Sequence, residues 1–221
     1  MGTADADERW GTRTRRVATN LEYADSMPSF DRPGDSQIAP SPWVMRWSAL
    51  IRRGGIVLDV AAGHGRHARA LAATGLRVVA TDLDVSGLGD VAPAVEVVAT
   101  DLESGAWPFA GRTFDGIVVA NYLHRPHFSH LITSLADGGV LIFETFGQGN
   151  ERLGRPRNPD FLLAHGELVA AFGAALQIVA YEHGAEDVPR PAVRQRLCAV
   201  KQTAPALLPE DLGRGDGRTQ G

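Results

Sequence analysis

The sequence predicts an α/β fold: a doubly wound, seven-stranded sheet, mostly parallel, with an antiparallel C-terminal hairpin. Three observations predict it. Short apolar runs lack the polar alternation of a half-solvated strand, helix-forming segments fall between them, and the last two runs are joined by too few residues for a crossover helix. The chain has 221 residues, enough for one sizeable core. With 44% hydrophobic and 22% charged residues, it does not fit collagen-like, disordered or coiled-coil classes.

Residues 1–39 are polar, rich in Arg, Asp, Thr and Pro, and without apolar period, so they read as a flexible arm. Arg9, Arg13, Arg15 and Arg16 would suit nucleic acid, but Asp5, Asp7 and Glu8 dilute them. The domain proper is expected over 40–202. It opens with a helix in 40–53, marked by the start signal Ser41-Pro42 and the stripe Trp43, Trp47, Leu50 and Ile51, which either packs on the sheet or covers the site. Strands follow at 56–60, 77–81, 95–100, 114–120 and 140–145, with helices at 66–73, 85–90 and 127–136. A Gly/Pro/Asn-rich insertion spans 147–159, then a helix near 166–172 and strands at 176–182 and 193–201. Residues 203–221 read as a frayed tail.

The most informative stretch is Asp59-Val60-Ala61-Ala62-Gly63-His64-Gly65, where a strand runs through a glycine turn into a helix. Glycine lets a ligand approach the backbone closely. Asp82, at the end of the next strand, can accept hydrogen bonds from both hydroxyls of a ribose. Gly63, Gly65 and Ala68 also satisfy the relaxed dinucleotide fingerprint, so an NAD-dependent oxidoreductase competes with an S-adenosylmethionine (SAM) enzyme. Asp59 separates the two readings, because a carboxylate there opposes a pyrophosphate and attracts the ammonium and sulfonium of SAM.

On these residues the chain resembles the class I SAM-dependent methyltransferases over 54–202. The resemblance implies a Rossmann-like fold with SAM as cofactor. Asp59 to Gly65, including Ala61, is similar to the motif that holds the methionine end, and Asp82-Leu83 to the ribose acid and the apolar residue beside adenine. Asp101-Leu102 fits the place of the acid near the adenine amino group. Asn121-Tyr122-Leu123-His124 resembles the segment lining the methyl-transfer site, and Asp137-Gly138-Gly139 the turn into the fifth strand. The short length and Gly166-Glu167-Leu168 resemble the small tellurite-resistance-type subgroup, although no oxyanion substrate follows from that likeness.

The expected activity is methyl transfer to a small-molecule acceptor by in-line displacement. Tyr122, His124 and Glu144 are the candidates for a base, each at or beyond the C-terminal end of a strand. The insertion, with Asn150, Glu151, Arg152, Arg155 and Arg157, is the expected acceptor-recognition loop, its arginines either pairing with an anion or solvated. An RNA or protein methyltransferase is the other alternative, but the net charge of −4 and the absence of an Asn/Asp-Pro-Pro-aromatic segment argue against nucleic acid. His124, His127 and His130 recur every three residues, yet Pro126 keeps His124 off the following helix, so no metal site is expected. The single cysteine, Cys198, sits in an apolar run and reads as a buried thiol. Without an apolar run long enough to span a bilayer, and without a targeting pattern, a cytoplasmic location is the default expectation.

Overall fold

The computed structural model describes residues 39–91 and 93–202. The expected arm, apart from residue 39, and the expected tail lie outside them. The seven strands are β1 (Ile56–Val60), β2 (Arg77–Asp82), β3 (Val95–Ala99), β4 (Phe114–Ala120), β5 (Leu135–Phe146), β6 (Gln177–Glu186) and β7 (Ala192–Val200). They form one sheet in the order β3-β2-β1-β4-β5-β7-β6. The first five are parallel; β7 runs antiparallel between β5 and β6. The seven-stranded Rossmann-like sheet and its antiparallel end are as the sequence predicts.

Among the described residues four α-helices cover the sheet: α1 (Pro42–Ser48), α2 (Arg66–Ala73), α3 (Phe128–Thr133) and α4 (Glu167–Phe172). On one face α1 and α2 pack Trp43, Val44, Trp47 and Leu71 against Val57, Val118, Ile142 and Cys198. Phe172 of α4 joins Leu58, Ile117, Phe143 and Leu197 on the other. Strands buried on both faces explain why their sequences read as unbroken apolar runs. Among the described residues no helix is long and apolar enough to cross a membrane.

Three elements differ from expectation. The first helix stops at Ser48, and Ile51 reaches the core from the turn after it. Instead of a helix at 85–90 there is one 3-10 turn, Ser86–Leu88. There Gly87 and Leu88 press against the glycine loop; a Cβ on Gly87 would lie 2.6 Å from the His64 ring. α3 ends early because the fully buried Leu135 pairs with Phe114 and begins β5 before the Asp137-Gly138-Gly139 turn. A Cβ on Gly139 would meet the Ala136 and Phe114 carbonyls at 2.8 and 2.9 Å, so that close pairing requires glycine.

Candidate functional site

The parallel strands bring the candidate residues to one edge of the sheet. Asp59 lies in β1, Asp82 ends β2, Asp101 follows β3, Asn121 to His124 follow β4, and Glu144 lies in β5. This is the carboxyl edge, where open α/β sheets bind ligands.

The loop after β1 is built on positive φ angles at Ala61 (+54°), Gly63 (+54°) and Gly65 (+76°). Ala61 adopts this angle without being glycine, which costs about 1 kcal/mol. At Gly65 a Cβ would come 2.4 Å from Leu88. Gly65 gives α2 no side-chain cap. Asp59 caps it instead, accepting from the Ala68 N–H, while its Oδ2 is buried without a hydrogen-bond partner. Burial pushes Asp59 up to about 7, although Arg66 opposes the shift. Once ionised, a buried carboxylate with a free oxygen beneath a glycine loop is suited to a cationic partner.

The Gly63 N–H donates to Asp82 Oδ2 at 2.8 Å, and the Asp84 N–H to Oδ1 at 3.2 Å. Each oxygen keeps a second lone pair, so the carboxylate is fixed in place and can still accept from two hydroxyls. Leu83 beside it is 54% exposed, an apolar surface open to a ring. Asp101 is held low by the Glu103 N–H, at 2.9 Å, and by Ser104. Leu102 differs from its neighbours: its side chain is buried in the core and its carbonyl faces His127 Nε2 at 2.6 Å, leaving only its N–H for a ligand.

The three candidates for a base diverge. Tyr122 is buried, and burial together with Glu103 drives its phenol upward, so it stays neutral. Burial pushes Glu144 up, but the Ser41 hydroxyl, Arg194 and Arg196 outweigh it and leave the carboxylate ionised. Arg196 donates to it at 2.9 Å. His124, half-buried, is lowered by burial despite the nearby Asp101 and is a neutral imidazole at physiological pH.

His124 stays off the helix, as Pro126 requires, but His127, expected on it, falls in the preceding 3-10 turn. His124 precedes a 3-10 turn, Arg125–His127, and of the three only His130 lies within α3. The His127 ring lies tilted against both His124 and His130, and Trp107 stacks on His130 and meets His127 at a tilt. Among the described residues no group of three or more His, Cys, Asp or Glu could hold a metal ion.

In the insertion, Asn150 is buried and structural, donating to the Pro156 carbonyl at 3.2 Å and accepting from Val193 N–H at 3.1 Å. Glu151 accepts from the Gly149 N–H. Arg152, Arg155 and Arg157 are exposed. Three residues at the site carry no sequence signal of their own. His67 Nε2 accepts the Ser41 N–H at 3.1 Å and ties α1 to α2, and Arg194 and Arg196 reach the site from β7.

Residues 57–139 match a family model described as a methyltransferase domain. No curated protein matches the chain by sequence. Similar solved structures include TehB from Haemophilus influenzae, with 16% identity over 75% of this chain and 63% of that one and a TM-score of 0.61. The N-methyltransferase NodS from Bradyrhizobium japonicum, in complex with S-adenosylhomocysteine (SAH), shares 17% identity over 82% of this chain and 97% of its own, with a TM-score of 0.61. The 1,6-didemethyltoxoflavin-N1-methyltransferase of Burkholderia thailandensis, with 1,6-didemethyltoxoflavin and SAH bound, shares 18% over 83% and 85%, with a TM-score of 0.57. At these identities the likeness is one of fold. The chain spans less than two thirds of TehB and nearly all of NodS.

Proposed function

We propose that the chain is a class I SAM-dependent methyltransferase and transfers the methyl group of SAM to a small-molecule acceptor; the match of residues 57–139 to a methyltransferase-domain model and the shared fold support the first half of that reading. The observation that carries the reading is Asp59: a fully buried carboxylate at the glycine loop, capping α2 with one oxygen and offering the other to a cation. The small-molecule half of the reading draws on the neighbours, one of which holds 1,6-didemethyltoxoflavin beside SAH.

SAM supplies an already activated methyl carbon, so the protein's work is alignment and exclusion of water. Asp59 would hold the ammonium, Asp82 the ribose hydroxyls, and Asp101 with the Leu102 N–H the adenine edge. Ala61, Gly63 and Gly65 form the floor, Leu83 covers the adenine, and Asn121 closes the methionine end. Tyr122, neutral and buried, forms an apolar wall. Glu144 stays ionised in its arginine contacts and orients rather than takes protons. His124 is the group fit to accept a proton from an acceptor that must lose one, because it is neutral, half-buried and at the mouth of the site.

Isothermal calorimetry with SAH and with NADH tests the cofactor half: the expectation is micromolar SAH binding without a response to NADH, and the reverse result overturns it. Methyl transfer from labelled SAM to a small-molecule extract, and none to RNA or protein, tests the acceptor half.

A further inference from the structure

Five residues, Asn121, Arg194, Glu186, Arg196 and Glu144, form a closed ring of contacts on the site's β5, β6 and β7 side, four of the contacts through side chains and one through the main chain. In the β5-β7 register Arg194 lies opposite Phe146 and Arg196 opposite Glu144. The Arg194 guanidinium sits 4.4 Å over the Phe146 ring, donates from Nε to Glu186 Oε1 at 2.7 Å, and from Nη1 to Asn121 Oδ1 at 2.7 Å. Arg196 donates both to Glu144 and to Glu186, so Glu186 bridges the two guanidiniums. The Asn121 N–H, donating to the Glu144 carbonyl at 2.9 Å, closes the loop.

Asn121 is the strained member. Its φ is +58°, a left-handed angle that only glycine adopts freely and that asparagine tolerates best among the rest. At that angle the chain changes sides. Asn121 reaches toward Arg194, whereas Tyr122 turns into the core cluster that holds Leu58 and Phe143 and faces Glu103. The conformation of this one residue therefore sets where Tyr122 and His124 stand.

We propose that Arg194 is a positioning residue for the turn 121–124: by gripping the Asn121 amide oxygen it holds the left-handed angle that presents Tyr122 and His124 to the site. This deepens the methyltransferase reading and rests on it for the turn's role. The role demands arginine. A planar guanidinium can stack on Phe146 and still donate in two directions within its plane, whereas a lysine ammonium is a single point at the end of a flexible stem. With its side chain only 11% exposed, Arg194 is also shielded from competing water.

The test is a comparison of Arg194→Ala and Arg194→Lys, each in the natural chain and in an Asn121→Gly background, by amide hydrogen exchange, NMR titration of the His124 imidazole and SAH calorimetry. Both substitutions at Arg194 are expected to speed exchange at residues 121–124 by about tenfold or more, with β1 and β2 amides unchanged. The His124 midpoint should move toward the ordinary histidine range, and SAH should bind several-fold more weakly. With glycine at 121 the positive φ needs no grip, so the same substitutions should have less than about half their effect on 121–124. Unchanged exchange at 121–124, or equal effects in both backgrounds, overturns the proposal. If Arg194→Ala fails to fold, Arg194→Lys carries the same comparison. A natural chain that binds no SAH defeats the cofactor reading, while the exchange comparison still decides the role of Arg194.

Discussion

Burial acts on Asp59 and His67 in opposite directions, and both effects can be read in pH. Folded Asp59 keeps its proton up to about 7, whereas an unfolded aspartate loses it near 3.8; between those values the folded chain holds the extra proton and stability falls as pH rises. Binding a cationic cofactor requires the ionised form. SAM affinity should therefore climb with pH to about 7 and level off above it, with proton release seen by calorimetry in buffers of different ionisation enthalpy. Asp59→Asn should abolish that slope and weaken SAM binding by roughly 1.5–3 kcal/mol; an unaltered dissociation constant removes Asp59 from the cofactor site. His67 is the mirror case. Burial, aided by Arg66, lowers it from 6.5 to about 3, so in that window the unfolded chain binds more protons and stability falls as pH drops. In His67→Gln, which keeps an acceptor for the Ser41 N–H, denaturant midpoints should decline less from pH 6.5 downward than in the natural chain. Ala61→Gly relieves the left-handed strain and should raise stability by up to about 1 kcal/mol, measured the same way.

The elements most legible in the sequence are those whose residues carry their own signal. Strands β1, β2, β4 and β5 show as apolar runs because both faces are largely buried, the edge strand β3 shows only by its valines, and the glycine loop with Asp59, Asp82 and Asp101 shows because each acid stands at or near a strand end. Helix ends were less legible: α3 yields to β5 where Leu135 finds Phe114, a partner twenty-one residues earlier in the chain (135 − 114), which no local window sees. Asn150 reads as a recognition residue because polar loops usually carry them, yet it is buried and holds the insertion to β7. Arg194 and Arg196 were invisible as site residues for a related reason. Their partners belong to β5, β6 and the turn after β4, and only the register of the antiparallel strands sets them opposite Phe146 and Glu144. α4 owes its place to Phe172, which meets Phe128 and Phe143 at ring-centroid distances of 5.1 and 6.0 Å. Phe172→Ala should cost about 3–5 kcal/mol in urea unfolding.

For the molecule as a whole, Cys198 offers a reporter of global opening. It is fully buried in the middle of β7, between β5 and β6, and burial pushes its thiol up to about 12. Native chain should resist alkylation at pH 8, with labelling that tracks the unfolding curve; rapid modification of the folded protein would show that the β5-β7-β6 portion opens on its own. The interior place of β7 has a further consequence, for synthesis. Among the described residues it is the last strand in chain order, yet it must enter between two made before it, and it brings Arg194 and Arg196 to the site. The glycine loop, by contrast, is complete early, with every residue from Asp59 to Gly65 in one short stretch. A nascent chain halted before residue 192 would carry the glycine loop without the strand that fixes the turn at Asn121, so under the proposed function the part that holds the methyl donor would form before the part that aims it.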